Sequence, residues 1–265
     1  MKMVDEADFD YNKCGFKERE YKDGLVVSSL DVKNYNKDFA EGNYRIVSCK
    51  NLFIASKVVI NKLEKLICEQ FKFMLQKLKI CEDDNILVCG LGNGEIVADS
   101  FGEKTCKKIL STKLLSKKIV KSNICSICPN VQAITGIHTF DIVCGVARQI
   151  KAKLIVLIDS FLTNNVKRLG HSFQLSNTGI VPGGALNFNK EISFSTTNIK
   201  CVTIGVPFML NLKNISCSIN KNIIVSPKDI KFMVEKCSTI LANALNKVFN
   251  PELSRDEIME LLNPI

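Results

Sequence analysis

Three short, continuous apolar runs constrain the fold of this chain most strongly. They are "ILVC" (residues 86–89), "LIVLID" (154–159) and "CVTIGV" (201–206), and stretches with helical periodicity separate them. Runs that are apolar at every position are typical of strands buried on both faces, because a strand with one solvated face alternates apolar and polar residues. Strands and helices in this rhythm predict an α/β fold: a mostly parallel twisted sheet with helices on both faces.

Two further segments precede these runs. "GLVVSSLDV" (residues 24–32) and "NYRIVSC" (43–49) have the composition of paired strands. From Leu52 to Ile80, apolar residues recur at helical spacing with lysines on the other side, which predicts a long amphipathic helix.

The two ends of the chain have different patterns. Ser226 is the predicted N-cap of a C-terminal helix, and Ser254 with Glu257 has the pattern of a capping box for a second one. Residues 1–22 are polar and lack periodicity, which predicts a loose N-terminal segment or pro-segment. A single α/β domain is therefore expected over residues 23–265.

Composition narrows the classes of protein. The longest apolar runs are far shorter than the ~20 residues of a membrane helix, and the N-terminus has no signal-peptide apolar core, so an intracellular protein is expected. The net charge is +9, but the lysines lie on helical faces without interleaved aromatic residues, which argues against direct nucleic-acid binding. The 12 cysteines are expected to be reduced thiols, and one close pair, Cys125 and Cys128, has redox or half-metal spacing.

A glycine loop, "GLGNGE" (residues 90–95), follows the first apolar run. Gly90 and Gly92 match the opening of a dinucleotide-binding fingerprint, but Glu95 stands where that motif needs its third, packing glycine. No phosphate-loop motif is present either. The loop is therefore predicted to turn the chain sharply after a buried strand, and no cofactor is expected.

Two aspartates follow apolar runs and are the candidate catalytic residues. Asp159 ends the run "LIVLI", and Asp99 lies just beyond the glycine loop. Active sites of parallel sheets form at the carboxyl ends of the strands, so both side chains are expected in one crevice. A carboxylate there is either paired, metal-bound, protonated or a structural cap. If the two carboxylates are neighbours, one can act as general base while the other, with a raised pKa, donates a proton. Such a pair is suited to the attack of water on an amide.

These motifs together resemble the germination proteases of spore-forming bacteria. "ILVCGLGN" is similar to the family's glycine loop, "VQAITGIHTFDIVCGV" to its "GxTGIET" region and "LIVLIDSF" to its "IAIDALA". "LSNTGIVPGG" is similar to "ISDTGIxPGS" and "VTIGVPFML" to "IAIGVPTVV", in the same order along the chain. The resemblance implies a fold akin to that of hydrogenase-maturation endopeptidases.

The resemblance also implies a function. The family cleaves the small acid-soluble proteins of the spore core at germination, as a cytoplasmic, atypical aspartic-type endopeptidase that is made as a zymogen and assembles as a tetramer. Its two aspartates fall on Asp99 and Asp159. The positions that match its other motifs are expected to shape the site: Gly90, Gly92, Asn93, Thr135, Gly136, His138, Asn177, Thr178, Gly179 and Gly183.

Three departures from the family pattern keep alternatives open. Ala98 replaces a proline, His138 a glutamate and Asn177 an aspartate. One alternative is a metal-assisted endopeptidase of the hydrogenase-maturation type, in which Asp99 and Asp159 bind an ion with His138 or His171. Another is an inactive pseudoprotease that binds the same substrates.

Overall fold

All strands of the described chain belong to one sheet. The computed structural model describes residues 15–34, 39–183, 190–212 and 223–263. The strands are Lys17–Glu20 (β1), Leu25–Val32 (β2), Gly42–Cys49 (β3), Asn85–Gly90 (β4), Asn123–Ile127 (β5), Leu154–Thr163 (β6), Ser172–Ser176 (β7), Lys200–Asn211 (β8) and Ile224–Val225 (β9). Their spatial order is β1-β2-β3-β7-β8-β6-β4-β5, and β9 pairs with the far end of β8.

Helices cover both faces of this sheet. They are Lys57–Lys77 (α1), Phe101–Cys106 (α2), Gln132–Thr135 (α3), Thr139–Gln149 (α4), Phe194–Thr197 (α5), Ile230–Phe249 (α6) and Arg255–Leu262 (α7). One core joins α1, α2 and α6 to one face, and a second core joins α4 to the other. In the described ranges, none of these helices combines the length and hydropathy that a bilayer crossing requires.

The predicted α/β fold is confirmed in the centre of the sheet. The three apolar runs form β4, β6 and β8, which are parallel to one another, and β5 extends this parallel part beyond β4. Both faces of β6 are buried because helices pack on each side, which explains why its sequence does not alternate. The early strands then extend the sheet beyond β8 with antiparallel pairs.

The long helix and the capping box also form as predicted. Ser56 caps α1 by accepting the backbone N–H of Val59, and Ser254 and Glu257 form a reciprocal capping box at α7. The predicted N-cap of α6 is wrong, because that helix begins at Ile230 after a turn in which Ile230 N donates to Pro227 O.

The N-terminal prediction lies partly outside the described residues. Residues 1–14 are not described, but Lys17–Glu20 forms an edge strand antiparallel to β2, so these four residues are not a loose segment. All four side chains are exposed, and backbone pairing rather than side-chain burial holds them. Charged residues also suit an edge strand, because they discourage pairing with another chain.

Candidate active site

A crevice opens at the carboxyl edge of the parallel strands. Its volume is about 390 Å³, and both Asp99 and Asp159 line it. The loop after β4, the loop before α4, the segment after β7 and the far end of β8 form its walls. The two predicted aspartates therefore share one cavity, which is the position that parallel-sheet proteins use for their active sites.

Asp159 comes from the central strand. Alternate residues of a strand point to the same face, so the Asp159 side chain is on the same face of β6 as Ile155 and Leu157, which pack against α4. Its side chain is only 3% exposed, and its Oδ1 accepts the Ser160 N–H at 2.8 Å. Contrary to expectation, Asp159 does not end the strand, because β6 continues to Thr163.

The crevice forms beside Asp159 because its neighbouring strand β4 stops first. Gly90, the last residue of β4, pairs with Ile158, and Leu91 N still donates to Ile158 O at 2.8 Å. On the other side, β8 continues past Gly205, the partner of Asp159. The predicted strand end at Pro207 is also wrong: β8 runs to Asn211 through a bulge, which is where a strand tolerates proline.

The glycine loop holds Asp99 by backbone contacts. Asn93 N donates to Asp99 Oδ2 at 2.6 Å, and Asp99 N donates to Ile96 O at 2.8 Å in the short turn Val97–Asp99. Gly92 has a φ of +94°, and a Cβ there would lie 2.2 Å from Asp99 O. Only glycine satisfies both conditions, and the loop it forms holds the Asp99 carboxylate.

A second pair of glycines seats α2 on the sheet. A Cβ on Gly90 would lie 2.3 Å from Gly102 O, and a Cβ on Gly102 would lie 2.3 Å from both Leu91 O and Ile158 O. Helix α2 therefore contacts the ends of β4 and β6 through backbone atoms. Gly102 was not predicted as a site residue, although it ends the string "VADSFG" that contains Asp99.

Burial dominates the electrostatics of Asp99. Loss of solvation raises the pKa of this carboxyl above its usual value, and the hydrogen bond from Asn93 N–H opposes that rise without cancelling it. A proton is therefore retained on Asp99 to higher pH than on an exposed aspartate. This is the property required of a carboxylic acid that acts as a proton donor.

We expect the Asp99→Asn variant to be more stable than the wild type at neutral pH. Because folding raises the pKa of Asp99, the ionised carboxylate destabilises the fold above that pKa, and the penalty disappears when the group is protonated. The melting-temperature difference should shrink as pH falls from about 8 to about 4, which calorimetry measures. A difference that is independent of pH would contradict the prediction.

The loop before α4 brings His138 to the crevice. His138 precedes α4 as its N-terminal flanking residue and lines the cavity with Gln132 and Phe140. Thr135 and Gly136 do not line it. The Thr135 hydroxyl oxygen accepts the Ile137 N–H and Gly136, at a φ of +70°, ends α3, so both shape the turn that presents His138.

Some residues of the segment after β7 fix its backbone, and others line the crevice. Asn177 Oδ1 accepts the Asn43 N–H at 2.7 Å, and Thr178 Oγ1 lies 3.2 Å from Ser176 Oγ. Gly179 has a φ of +92°, and a Cβ there would lie 2.3 Å from Ile192 O. These three residues fix the backbone and do not line the cavity, whereas Gly183 lines it.

The donor set does not favour the metal alternative. His171 lies outside the crevice, and burial lowers its pKa. Among the described residues, no three His, Cys, Asp and Glu side chains are grouped closely enough to hold an ion. Asp99, Asp159 and His138 share the cavity without forming such a group.

Most of the crevice wall is apolar and was not predicted. The wall residues of this kind are Leu91, Ile96, Val131, Ala133, Phe140, Pro182, Met209 and Ile224. Ile96 and Ile224 are 54% and 49% exposed, so apolar surface faces the opening. In the sequence, the only sign of this apolar wall was that apolar residues flank Asp99 and His138. Apolar residues in such positions are more often assigned to a core.

A larger cavity lies elsewhere, between α2, α6 and α7. It has a volume of about 530 Å³ and a partly basic lining, and among the described residues Glu64 is its only carboxylate. Glu64 accepts hydrogen bonds from Arg255 and Asn243, so its charge is already satisfied. The pair of aspartates, rather than cavity size, identifies the candidate active site.

The fold and the site together define a class: α/β proteins with two aspartates in one crevice at the carboxyl edge of parallel strands. Residues 2–219 match the family model of germination proteases. The chain belongs to the germination protease family, which places it among the peptidases of spore germination.

Individual relatives agree with this assignment. The chain is 27% identical over 291 residues to a germination protease of Clostridium acetobutylicum, covering 90% of this chain and 89% of that protein. It is 30% identical over 206 residues to one from a Geobacillus strain, covering 73% of this chain and 55% of that protein. A Bacillus cereus relative is 27% identical, with 57% of its length covered. The chain thus spans little more than half of these two longer relatives.

A solved structure of limited similarity is a NiFe hydrogenase maturation protease from Thermococcus kodakarensis. Its sequence identity is 17% and its TM-score is 0.36, over 61% of this chain and 92% of that one.

Proposed function

We propose that this chain is an endopeptidase in which Asp99 and Asp159 act as an acid and base pair. The observation that carries the proposal is that both side chains line one crevice, each held by a backbone N–H. A glycine loop holds Asp99 and the central strand carries Asp159, and their place in one crevice supports the proposal.

The pair supplies both proton transfers of amide hydrolysis. Ionised Asp159 takes a proton from a water, and the resulting hydroxide attacks the amide carbonyl carbon. Protonated Asp99 then donates its proton to the amide nitrogen, and the C–N bond breaks. The cycle leaves Asp159 protonated and Asp99 ionised, so a proton must return to Asp99 before the next turnover. The raised pKa of Asp99 favours that starting state.

The apolar wall suits a peptide in extended conformation. Ile96, Phe140 and Met209 provide apolar surface beside the two carboxylates, so an apolar side chain near the scissile bond can be buried there. By family resemblance, the substrates are the small acid-soluble proteins of the spore core. Removal of an N-terminal segment and assembly as a homo-oligomer, a tetramer in the family, remain predictions.

The direct test is to incubate the purified protein with a small acid-soluble spore protein and follow fragments by mass spectrometry. Discrete fragments that accumulate with time are expected, and cleavage should persist after exhaustive treatment with a chelator. Loss of cleavage on chelation, with recovery on adding back a divalent ion, would favour the metal-assisted alternative. Tight binding without fragments would favour the pseudoprotease.

A further inference from the structure

Two cysteines outside the crevice lie side by side. Cys106 ends α2 and is 2% exposed, whereas Cys128 follows β5 and is exposed. The Cys106 and Cys128 thiols lie near enough for each to change the pKa of the other. Each sulfur also lies near the backbone of its partner's segment. Cys106 Sγ is 3.3 Å from the carbonyl oxygen of Ile127, the residue before Cys128, and Cys128 Sγ is 3.9 Å from the carbonyl oxygen of Glu103, about one helical turn before Cys106.

The fold separates Cys125 from Cys128, the two cysteines that are close in the sequence. Cys125 is on β5 and packs in the core on the α4 face, while Ile124 and Cys106 belong to the core on the α2 face. Cys128, one residue beyond the strand, contacts α2 instead of Cys125. Cys125 and Cys128 therefore lie on different sides of the sheet, despite their redox-type spacing in the sequence.

We propose that Cys106 and Cys128 form an intramolecular disulfide by exchange with a low-molecular-weight disulfide. Cys128, the accessible thiol, attacks the small disulfide as its thiolate, forms a mixed disulfide and releases one small thiol. Cys106 then loses its proton and attacks the Cys128 sulfur, which releases the second small thiol. Two protein thiols are oxidised and one small disulfide is reduced to two thiols, so atoms and electrons balance.

The electrostatics of the pair suit this order of events. The neighbouring Cys106 thiol lowers the pKa of the Cys128 thiol, burial and the Glu103 carboxylate oppose this effect, and Lys107 lowers the pKa further. The same contact raises the pKa of Cys106, which is also buried. An exposed thiol with a lowered pKa beside a buried resolving thiol is the arrangement of redox-sensitive cysteine pairs.

The bond would tie α2 to the end of β5. Helix α2 begins two residues after Asp99, so the disulfide would restrain the element that follows the proposed catalytic acid. Closing the loop between residues 106 and 128 should raise the melting temperature by roughly 5–10 °C, on the usual scale of loop-closure entropy.

The test uses the full chain, first reduced and then incubated under native conditions with glutathione disulfide. Peptide mapping by mass spectrometry should join Cys106 to Cys128 with the loss of two hydrogens, and neither of these two cysteines should retain a glutathionyl adduct. The Cys106→Ser variant should stop at a glutathione adduct on Cys128. The Cys128→Ser variant should form no cross-link and show no oxidant-induced rise in melting temperature.

Two further variants serve as controls. Cys125→Ser and Cys81→Ser should cross-link as the wild type does, because Cys125 faces the other core and Cys81 is exposed elsewhere. Circular dichroism of each reduced variant checks its fold. A cross-link that survives Cys106→Ser but is lost in Cys125→Ser would overturn the proposal, as would a stable glutathione adduct on Cys128 of the wild type. Because the readouts are mass and melting temperature, the result is independent of peptidase activity.

Discussion

Replacing Asp159 with asparagine should lower kcat for cleavage of a spore-protein substrate by about 10³- to 10⁴-fold, with little change in KM. The substitution keeps the size of the side chain and its ability to accept the Ser160 N–H, but removes the group that takes a proton from water. Steady-state kinetics with a defined peptide substrate would measure the loss. A melting curve of the variant would confirm that the fold is intact.

Asp84→Asn is a matched control. Asp84 Oδ2 also accepts a backbone N–H, that of Cys81, but it precedes β4 and therefore lies at the opposite edge of the sheet from the crevice. Its kcat should remain within about twofold of the wild type, since surface substitutions away from a site have small effects. Full activity in Asp159→Asn would eliminate the proposed base.

The Gly102→Ala substitution should destabilise the protein by about 2–4 kcal/mol and reduce activity with it. The added Cβ would lie 2.3 Å from both Leu91 O and Ile158 O, and these are backbone atoms at the meeting point of β4 and β6. Neither can move without disturbing the hydrogen bond from Leu91 N to Ile158 O. Helix α2 must therefore shift, and Asp99, three residues earlier, shifts with it.

Gly145→Ala provides the control for Gly102. Both glycines lie inside helices, but a Cβ on Gly145 meets nothing within 4 Å. Because alanine has the higher helix propensity, this variant should be unchanged or stabilised by up to about 1 kcal/mol. Denaturant unfolding of both variants would measure the contrast. Equal stability of the two would show that α2 does not need its close contact with the sheet.

The sequence predicted most of the fold because strands that are buried on both faces have a recognisable, almost entirely apolar composition. The runs that form β4, β6 and β8 are apolar at nearly every position, since helices cover both faces of the sheet. Boundaries were less predictable. The strands beginning at Leu154 and Lys200 continue beyond Asp159 and Pro207, because sheet pairing tolerates polar residues and a bulge where neighbouring strands permit them.

The candidate site was predictable only where residues stand next to recognisable motifs. Gly92, Asn93, Asp99, His138, Asp159 and Gly183 line or border the crevice as expected. Asn177, Thr178 and Gly179 belong to the same family motifs but hold the backbone outside it. A residue's place in a motif does not show whether it lines the crevice or holds the backbone, because both kinds of position accept only certain residue types.

By itself, the sequence determined the α/β fold class and the family, because strand burial and motif order are properties of local residue patterns. Only the tertiary structure decided which groups meet. It brought Asp99 and Asp159 into one crevice because β4 ends one residue before Asp159, and it excluded His171 from that crevice. It also placed Cys128 beside α2, the helix that contains Cys106, while Cys125 packs against the other core, because alternate residues of a strand face opposite sides of a sheet.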